Sequence, residues 1–563
     1  MENLTPNLDR RSFLKTLAVA APAAAWSCSE TAPAGDPRPN IIVIMADDMG
    51  FSDIGCYGGE VETPNLDALA ANGLRFRQFY NGARCCPTRA SLITGLYPHQ
   101  AGVGHMTGQY RKDGEIIPSY QGDLNTQCMT IAEVMKTAGY TTLMSGKWHV
   151  TPSINTDGEV PKQHNWPVNR GFDRFFGTIL GAGSFYDPVT LARDDKHIES
   201  WEGFYYTTEI GKNAETFIEE SPRDKPFFMY LPFTSPHWPL QAPEDAIAKY
   251  KGRYDMGWDA LREERRARMV EMGIIDESWP LTPRDPAVPA WEDAENKEWE
   301  SRRMEVYAAQ IDLMDQAIGG VVDRLSELEI LDNTLIFFLA DNGGCAEELD
   351  MTWAPSYFFA FKTRDGQRDV QRVNDPTIMP GPEETYQSYG IPWANTSNTP
   401  FRLYKHFVHE GGISSPLIAH WPDKLANSGT WTDEQSHLID IAATCADLGS
   451  ADYPATFNGN AITPLEGKSL APLLTHGSRD GHDAIYWEHE GNRAIRAGKW
   501  KLVSKWSEPE NSAWELYDME ADRVEMSNVA EDHPEVVEKM AAQWQVWADR
   551  VGVIEWRSWD QNS

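Results

Sequence analysis

The chain has 563 residues, 41% of them hydrophobic, which is enough for a large core and too long for one ordinary domain. Its 84 acidic residues against 50 basic ones give a formal net charge of -34, which excludes nucleic acid and anionic membrane surfaces as partners held by bulk charge. Collagen, coiled coil and wholesale disorder are excluded by the same composition.

Residues 1–35 read as an export signal and linker rather than as part of a fold. Arg10 and Arg11 are followed by Phe13, Leu14, Lys15 and an apolar stretch over 17–25, too short to span a bilayer stably. This resembles a twin-arginine signal, which predicts the twin-arginine export machinery as a partner and a periplasmic or secreted location. Cys28 stands where a lipidation cysteine would, although Trp26 fits that pattern poorly.

After a Pro-rich linker, "NIIVIMADD" is a continuous apolar run of the kind that forms a parallel strand buried on both faces. Similar runs over 140–149, 226–237 and 334–344 each end in polar residues. Helical patterns lie at 65–72, 130–138 and 211–219. A longer one carries Met304, Tyr307, Ile311, Met314, Ile318, Val321, Leu325 and Leu328 at steps of three and four. Alternating strands and helices predict a parallel α/β sheet with its ligand at the carboxyl ends of the strands. We place this domain at 36–440. From there to 563 the pattern changes to short strands (494–506 and 514–529) and a helix with Val537, Met540, Trp544 and Trp547 on one face, an α+β subdomain.

Chemistry-bearing residues collect at the predicted strand ends. Asp47, Asp48, Asp341 and Asn342 are hard oxygen ligands suited to Ca²⁺ or Mg²⁺, and grouping them without a cation would be strongly repulsive. Aspartates after strands also serve as helix caps. Arg89, Lys147, His149, His237 and Lys405 lie in or just beyond apolar segments, which in an acidic protein points to a local pocket for an anion. "ARCCPTRASLITG" places Cys85 at the start of a helix, where unpaired amides and the helix dipole favour an anion. The other cysteines are scattered, so neither a disulfide framework nor a zinc ribbon is suggested.

"CCPTRASLITG" matches the C-x-P-[ST]-R core of the formylglycine-dependent sulfatases, and "TPNLDALAANGLRF", "GKWH", "SPHWP", "ADNGG" and "NTPFRLYKHFVHEGGI" resemble further segments of that family in order. The likeness runs from about Pro39 to Val551 and is greatest to bacterial arylsulfatases. It implies an alkaline-phosphatase-like fold: a large, mixed, mostly parallel sheet flanked by helices, with a smaller C-terminal antiparallel sheet and covering helix. It also implies oxidation of Cys85 to Cα-formylglycine by a formylglycine-generating enzyme, with Cys86 left unconverted. One hydroxyl of the hydrated aldehyde would attack sulfur, and deprotonating the other would expel sulfate and restore the aldehyde, so no stable ester traps the enzyme.

Carried over residue by residue, the resemblance gives Asp47, Asp48, Asp341, Asn342 and the side chain at 85 to one divalent ion, favouring Ca²⁺ over Mg²⁺. Arg89 would orient residue 85, Lys147 and Lys405 would hold sulfate oxygens, His237 would be the general acid and His149 the base. A phosphodiesterase or phosphonate monoester hydrolase of the same superfamily is the nearest alternative reading. A non-catalytic binder of sulfated glycans, using some of the 21 tryptophans, is the alternative of another class. Segment 344–397 is expected to line the substrate entrance.

Overall fold

Four apolar runs that the sequence marks as buried strands lie side by side at the middle of one large sheet. This computed structural model describes residues 36–152, 163–350, 360–507 and 512–556; the export segment and Cys28 lie outside the described residues. The sheet's strands are β1 (Asn40–Ala46), β2 (Leu74–Tyr80), β3 (Thr141–Ser145), β4 (Arg174–Thr178), β5 (Leu191–Arg193), β6 (Lys196–His197), β7 (Phe227–Pro232), β8 (Thr334–Ala340), β9 (Ser414–His420), β10 (Thr430–Thr432) and β11 (Ser436–His437). Their order is β10-β2-β9-β8-β1-β7-β3-β4-β5-β6, with β11 also paired to β2. The central run from β8 to β4 is parallel, whereas β9 is antiparallel to β8 and β2, and β5 to β4 and β6.

Strand β1 is buried on both faces because helices cover both. Ile42 and Ile44 join the core formed with α4 (Tyr206–Glu220) and α5 (Lys297–Glu327). Ile41, Val43 and Met45 face the core shared with α2 (Cys85–Thr94), α3 (Ile131–Thr137) and α7 (Ile439–Leu448), with α1 (Pro64–Ala71) and α6 (Gly390–Ser397) on the first side. The α4 helix starts five residues before the 211–219 pattern, since the aromatic and β-branched residues Tyr206, Thr207 and Thr208 obscure its first turn. Strands β2, β4 and β9 escaped the pattern reading, as did the short strands β5, β6, β10 and β11. In β9, Pro416 sits at a register shift between Ser415 and Leu417, and proline inside a run argues against a strand.

The C-terminal part forms an antiparallel sheet of β12 (Ile485–His489), β13 (Asn492–Ala497), β14 (Trp500–Ser504) and β15 (Glu515–Asp518). Only four residues of the 514–529 stretch are strand; the rest turns back toward α8 (Pro534–Val551). One face of this sheet packs under Met540, Trp544 and Trp547 of α8. The other packs on Tyr80, Ala83, Val408 and Ile413 of the large domain.

Buried ion pairs reinforce that second contact. Lys501 Nζ lies 2.9 Å from Glu410 Oε1 and 2.7 Å from Glu525 Oε1, and Arg523 reaches Glu410 at 3.3 Å. Arg402 pairs with Glu515 at 2.6 Å. The small sheet therefore grips both ends of the segment 402–410. Replacing Lys501 with Met leaves Glu410 and Glu525 buried with one cation fewer, and we expect a loss of about 3–5 kcal/mol in stability, read by chemical denaturation.

Candidate active site

Register brings the acidic strand ends together. Ala46 stands opposite Ala340, so Asp47 and Asp48 emerge beside Asp341 and Asn342. The Asp48 backbone is left-handed (φ 62°), a conformation aspartate tolerates better than most residues. Its N–H donates to Asp341 Oδ1 at 3.0 Å, and Asn342 Nδ2 donates to Asp48 Oδ1 at 2.7 Å. All four side chains are buried.

Three cations compensate the three carboxylates. Lys147 Nζ donates to Asp47 Oδ2 at 2.6 Å and Lys405 Nζ to Asp48 Oδ2 at 2.9 Å. Arg89 donates to Asp341 Oδ2 at 2.8 Å and to the Lys147 carbonyl at 3.1 Å. Compensation is incomplete at Asp47: burial, followed by the charge of Asp341, pushes its carboxyl well above the usual range. Asp47 Oδ1 and Asn342 Oδ1 are buried without a hydrogen-bond partner. Two orphaned oxygens within a set of three carboxylates and an amide fit a hard divalent cation.

Cys85 opens α2 directly above this set, with Arg84 as N-cap. The neighbouring Cys86 thiol holds the Cys85 thiol well below its ordinary range, against burial and with help from His149 and Lys147. Burial pushes Cys86 the other way. Cys86 Sγ lies 3.2 Å from His149 Nε2, so the structure gathers Cys85, Cys86 and His149 into one buried group. Thr88 Oγ1 donates to the Asp341 carbonyl at 2.6 Å and accepts from the Gly82 N–H, which ties the turn before the helix to strand β8.

The two histidines flank the pocket. His237 Nδ1 donates to the Trp238 carbonyl at 2.6 Å, and Nε2 lies 3.3 Å from Asp48 Oδ2. Burial pushes both imidazoles down to about 4, more strongly than the opposing Asp48 and Cys85 charges raise them. His149 also has a left-handed backbone (φ 56°), and its ring lies on Gly181, where a Cβ would meet it at 1.9 Å. Every site residue singled out in the sequence, from Asp47 to Lys405, thus converges here.

Comparison with known proteins gives the family. A family model described as Sulfatase matches residues 39–451, and one described as N-sulphoglucosamine sulphohydrolase, C-terminal, matches 401–548. The chain belongs to the sulfatase family. An uncharacterized sulfatase of Schizosaccharomyces pombe is 33% identical over 92% of this chain and 94% of its own length. An arylsulfatase of Klebsiella aerogenes is 33% identical over 77% of this chain and 92% of its own. Among solved structures, a sulfatase from a Pseudoalteromonas species superposes with a TM-score of 0.55 at 19% identity, covering 93% and 92% of the two chains. A protein solved in complex with its substrate D-glucosamine-2-N,6-O-disulfate gives 0.59 at 20%, covering 92% and 98%. The fold is alkaline-phosphatase-like, and the protein is a sulfuric ester hydrolase.

The sulfatase site includes residues that motif reading passed over. Glu347 is buried beside Lys405 (3.7 Å), Arg84 (3.3 Å) and His406 (3.1 Å), and accepts from Trp238 Nε1 at 2.8 Å. Despite burial, Lys405 and Arg84 hold its carboxyl well below the usual range. Glu347 lies three residues past the "ADNGG" segment, and no local motif marks it. A cavity of about 540 Å³ opens over Lys405, lined by Glu347, His105, His406, Glu490, Trp506 and Trp556 among others. The entrance expectation over 344–397 is thereby corrected. Ala346 and Glu347 line this cavity, but 390–397 is the buried helix α6, residues 351–359 lie outside the described residues, and the rest of the wall comes from His105, the loop 404–407 and the C-terminal subdomain.

Gly181 yields a direct test. A Gly181→Ala variant must displace the His149 ring, and we expect a loss of about 10²-fold in kcat, the low end of what a positioned acid or base supplies, with an unchanged circular dichroism spectrum.

Proposed function

We propose that this sulfatase cleaves a sulfated carbohydrate, with aryl sulfates as surrogate substrates, using Cys85 converted to Cα-formylglycine and one divalent ion, Ca²⁺ rather than Mg²⁺. The observation that carries this reading is the placement of Cys85 at the mouth of α2, over Asp47, Asp48, Asp341 and Asn342, within a ring of Arg89, Lys147, His149, His237 and Lys405. When bound, the cation would supply positive charge that lowers the proton affinity of the oxygen on residue 85. Asp47, Asp48, Asp341 and Asn342 would hold it, the orphaned Asp47 Oδ1 and Asn342 Oδ1 among the donor atoms.

The remaining work belongs to the chain's own side chains. Arg89, fixed between Asp341 and the Lys147 carbonyl, orients residue 85. Lys147 and Lys405 release part of their hold on Asp47 and Asp48 to meet the sulfate oxygens, in a buried site where each contact is stronger than in water. His237 keeps its Nδ1 proton on the Trp238 carbonyl, so it acts as the acid only when Nε2 carries a second proton, a charge that Asp48 at 3.3 Å favours and burial opposes; that Nε2 proton is the one given to the leaving oxygen. His149 takes the proton whose removal lets sulfate depart. The cavity beyond Lys405 combines ring faces with carboxylates, imidazoles and an amide, a lining suited to a hydroxylated sugar. On the Arg10–Arg11 segment we place the enzyme among exported proteins.

Two experiments test this. In protein from a host with formylglycine-generating activity, mass spectrometry of the Cys85–Cys86 peptide should show one oxygen replacing sulfur and two hydrogens at residue 85 only. Cys85→Ala should then fold normally and lose turnover, and near-normal hydrolysis would sink the reading. Separately, His237→Ala should slow esters with poor leaving groups more than activated aryl sulfates, because only the former need a donated proton. Equal losses on both substrate types would remove His237 from that role.

A further inference from the structure

At the far wall of the entrance cavity lies a second cluster of ligating side chains that the sulfate chemistry does not use. The hairpin between β12 and β13 turns on Glu490 and Gly491, both with positive φ (51° and 77°). The first of these positions is ordinarily taken by Asn, Asp or Gly. Here the left-handed residue is a glutamate, next to His489 at the end of β12. Glu490 Oε1 lies 3.5 Å from His489 Nε2 and 3.9 Å from His105 Nε2, and the three atoms are all within 4.8 Å of one another. His489 is fully buried, and neither of its ring nitrogens has a hydrogen-bond partner; His105 Nδ1 has none either. A buried imidazole with both nitrogens unmatched is costly unless something accepts its lone pair.

We propose that His105, His489 and Glu490 form a second metal site, for an ion of the Zn²⁺ class, at the rim of the cavity leading to Lys405. Two imidazoles and one carboxylate suit Zn²⁺, Co²⁺ or Ni²⁺ and are poorly matched to Ca²⁺. Zinc bonds to nitrogen and oxygen of 2.0–2.2 Å set a tetrahedral edge of about 3.4 Å, so two of the donor separations need to shrink by only about 0.1–0.5 Å on binding. Burial pushes His105 well below the ordinary histidine range, which leaves its ring neutral with a lone pair to give. His406 Nδ1 lies 2.8 Å from Glu490 Oε2 and holds the carboxylate in place as an outer partner. Arg84 pairs with Glu347 at 3.3 Å and also lies against the His406 ring, and its charge is felt at Glu490 and His105, so the cluster's carboxylate is partly compensated. Because His105 and Glu490 both line the cavity, the ion's open position faces the space where a leaving group would sit. The site is separate from the carboxylates that follow β1 and β8, and it stands whether or not Cys85 is converted.

The test uses the full chain, stripped by a chelator and then saturated with Ca²⁺. Titrated with Co²⁺, it should take up one equivalent and develop the intense visible bands of a four- or five-coordinate ion. His489→Ala and the near-isosteric Glu490→Gln should each lose both the bands and the bound equivalent, with circular dichroism confirming that the variants fold. Failure of Ca²⁺-saturated protein to bind Co²⁺ would overturn the proposal. So would uptake that survives in both folded variants, or a spectrum dominated by thiolate charge transfer, which would place the ion at Cys86 and His149 instead.

Discussion

Burying three carboxylates at one point forces most of what surrounds them. Asp47, Asp48 and Asp341 are held together by the register of β1 and β8, in a position that excludes water. Ionised carboxylates there are tolerable only if cations of the protein or of the solution meet them. Each cation arrives from a different part of the chain: Arg89 from α2, Lys147 from the end of β3, and Lys405 from a loop near β9. The strands, the helix that opens at Cys85 and the loop are therefore bound to one another by the same charges that would act on sulfate. These three cations leave no surplus of positive charge over the buried acids, and a divalent ion would supply one, which is the sign a sulfate ester requires.

Lys405 shows why the C-terminal subdomain cannot be regarded as an appendage. No strand carries this lysine, and a loop alone would not hold an ammonium against Asp48 with useful precision. Lys501, Arg523 and Glu525 clamp Glu410 on one side of it, and Glu515 clamps Arg402 on the other. The same sheet supplies Glu490 and Asn492 to the cavity wall. The candidate site and the cavity beside it thus share one packing interface, so a mutation in that interface would disturb both.

What could be read without coordinates follows from how locally each feature is encoded. Strands β1, β3, β7 and β8 announce themselves because two buried faces demand uninterrupted apolar runs, and the polar residues just after them are the site. The helix around Met304 to Leu325 is equally plain from its period. By contrast β9 hides behind Pro416, and β2 alternates apolar residues with Arg75, Arg77 and Gln78 as an ordinary half-buried strand would. Glu347 and Arg84 were not legible, because their roles come from pairing across more than 200 residues rather than from a local signature. The cavity wall was misplaced for the same reason: a hairpin turn in the small sheet does not signal in sequence that it faces the large one.

The adjacent cysteines illustrate how far electrostatics can separate two identical groups. Both are buried in the first turn of α2, yet Cys85 is held toward its anion and Cys86 toward its thiol. The Cys86 proton serves the Cys85 sulfur, and the Cys86 Sγ also lies 3.2 Å from Nε2 of His149, whose imidazole burial holds toward its neutral form. Gly181 closes the opposite face of the ring. His149 is thereby held between the Cys86 sulfur and Gly181, which fixes the direction of its ring. A serine at 86 would bond the nitrogen more tightly and a larger residue would displace the ring. The second cysteine thus has a physical role of its own: it packs its sulfur against the imidazole of His149 and helps to set that ring's direction.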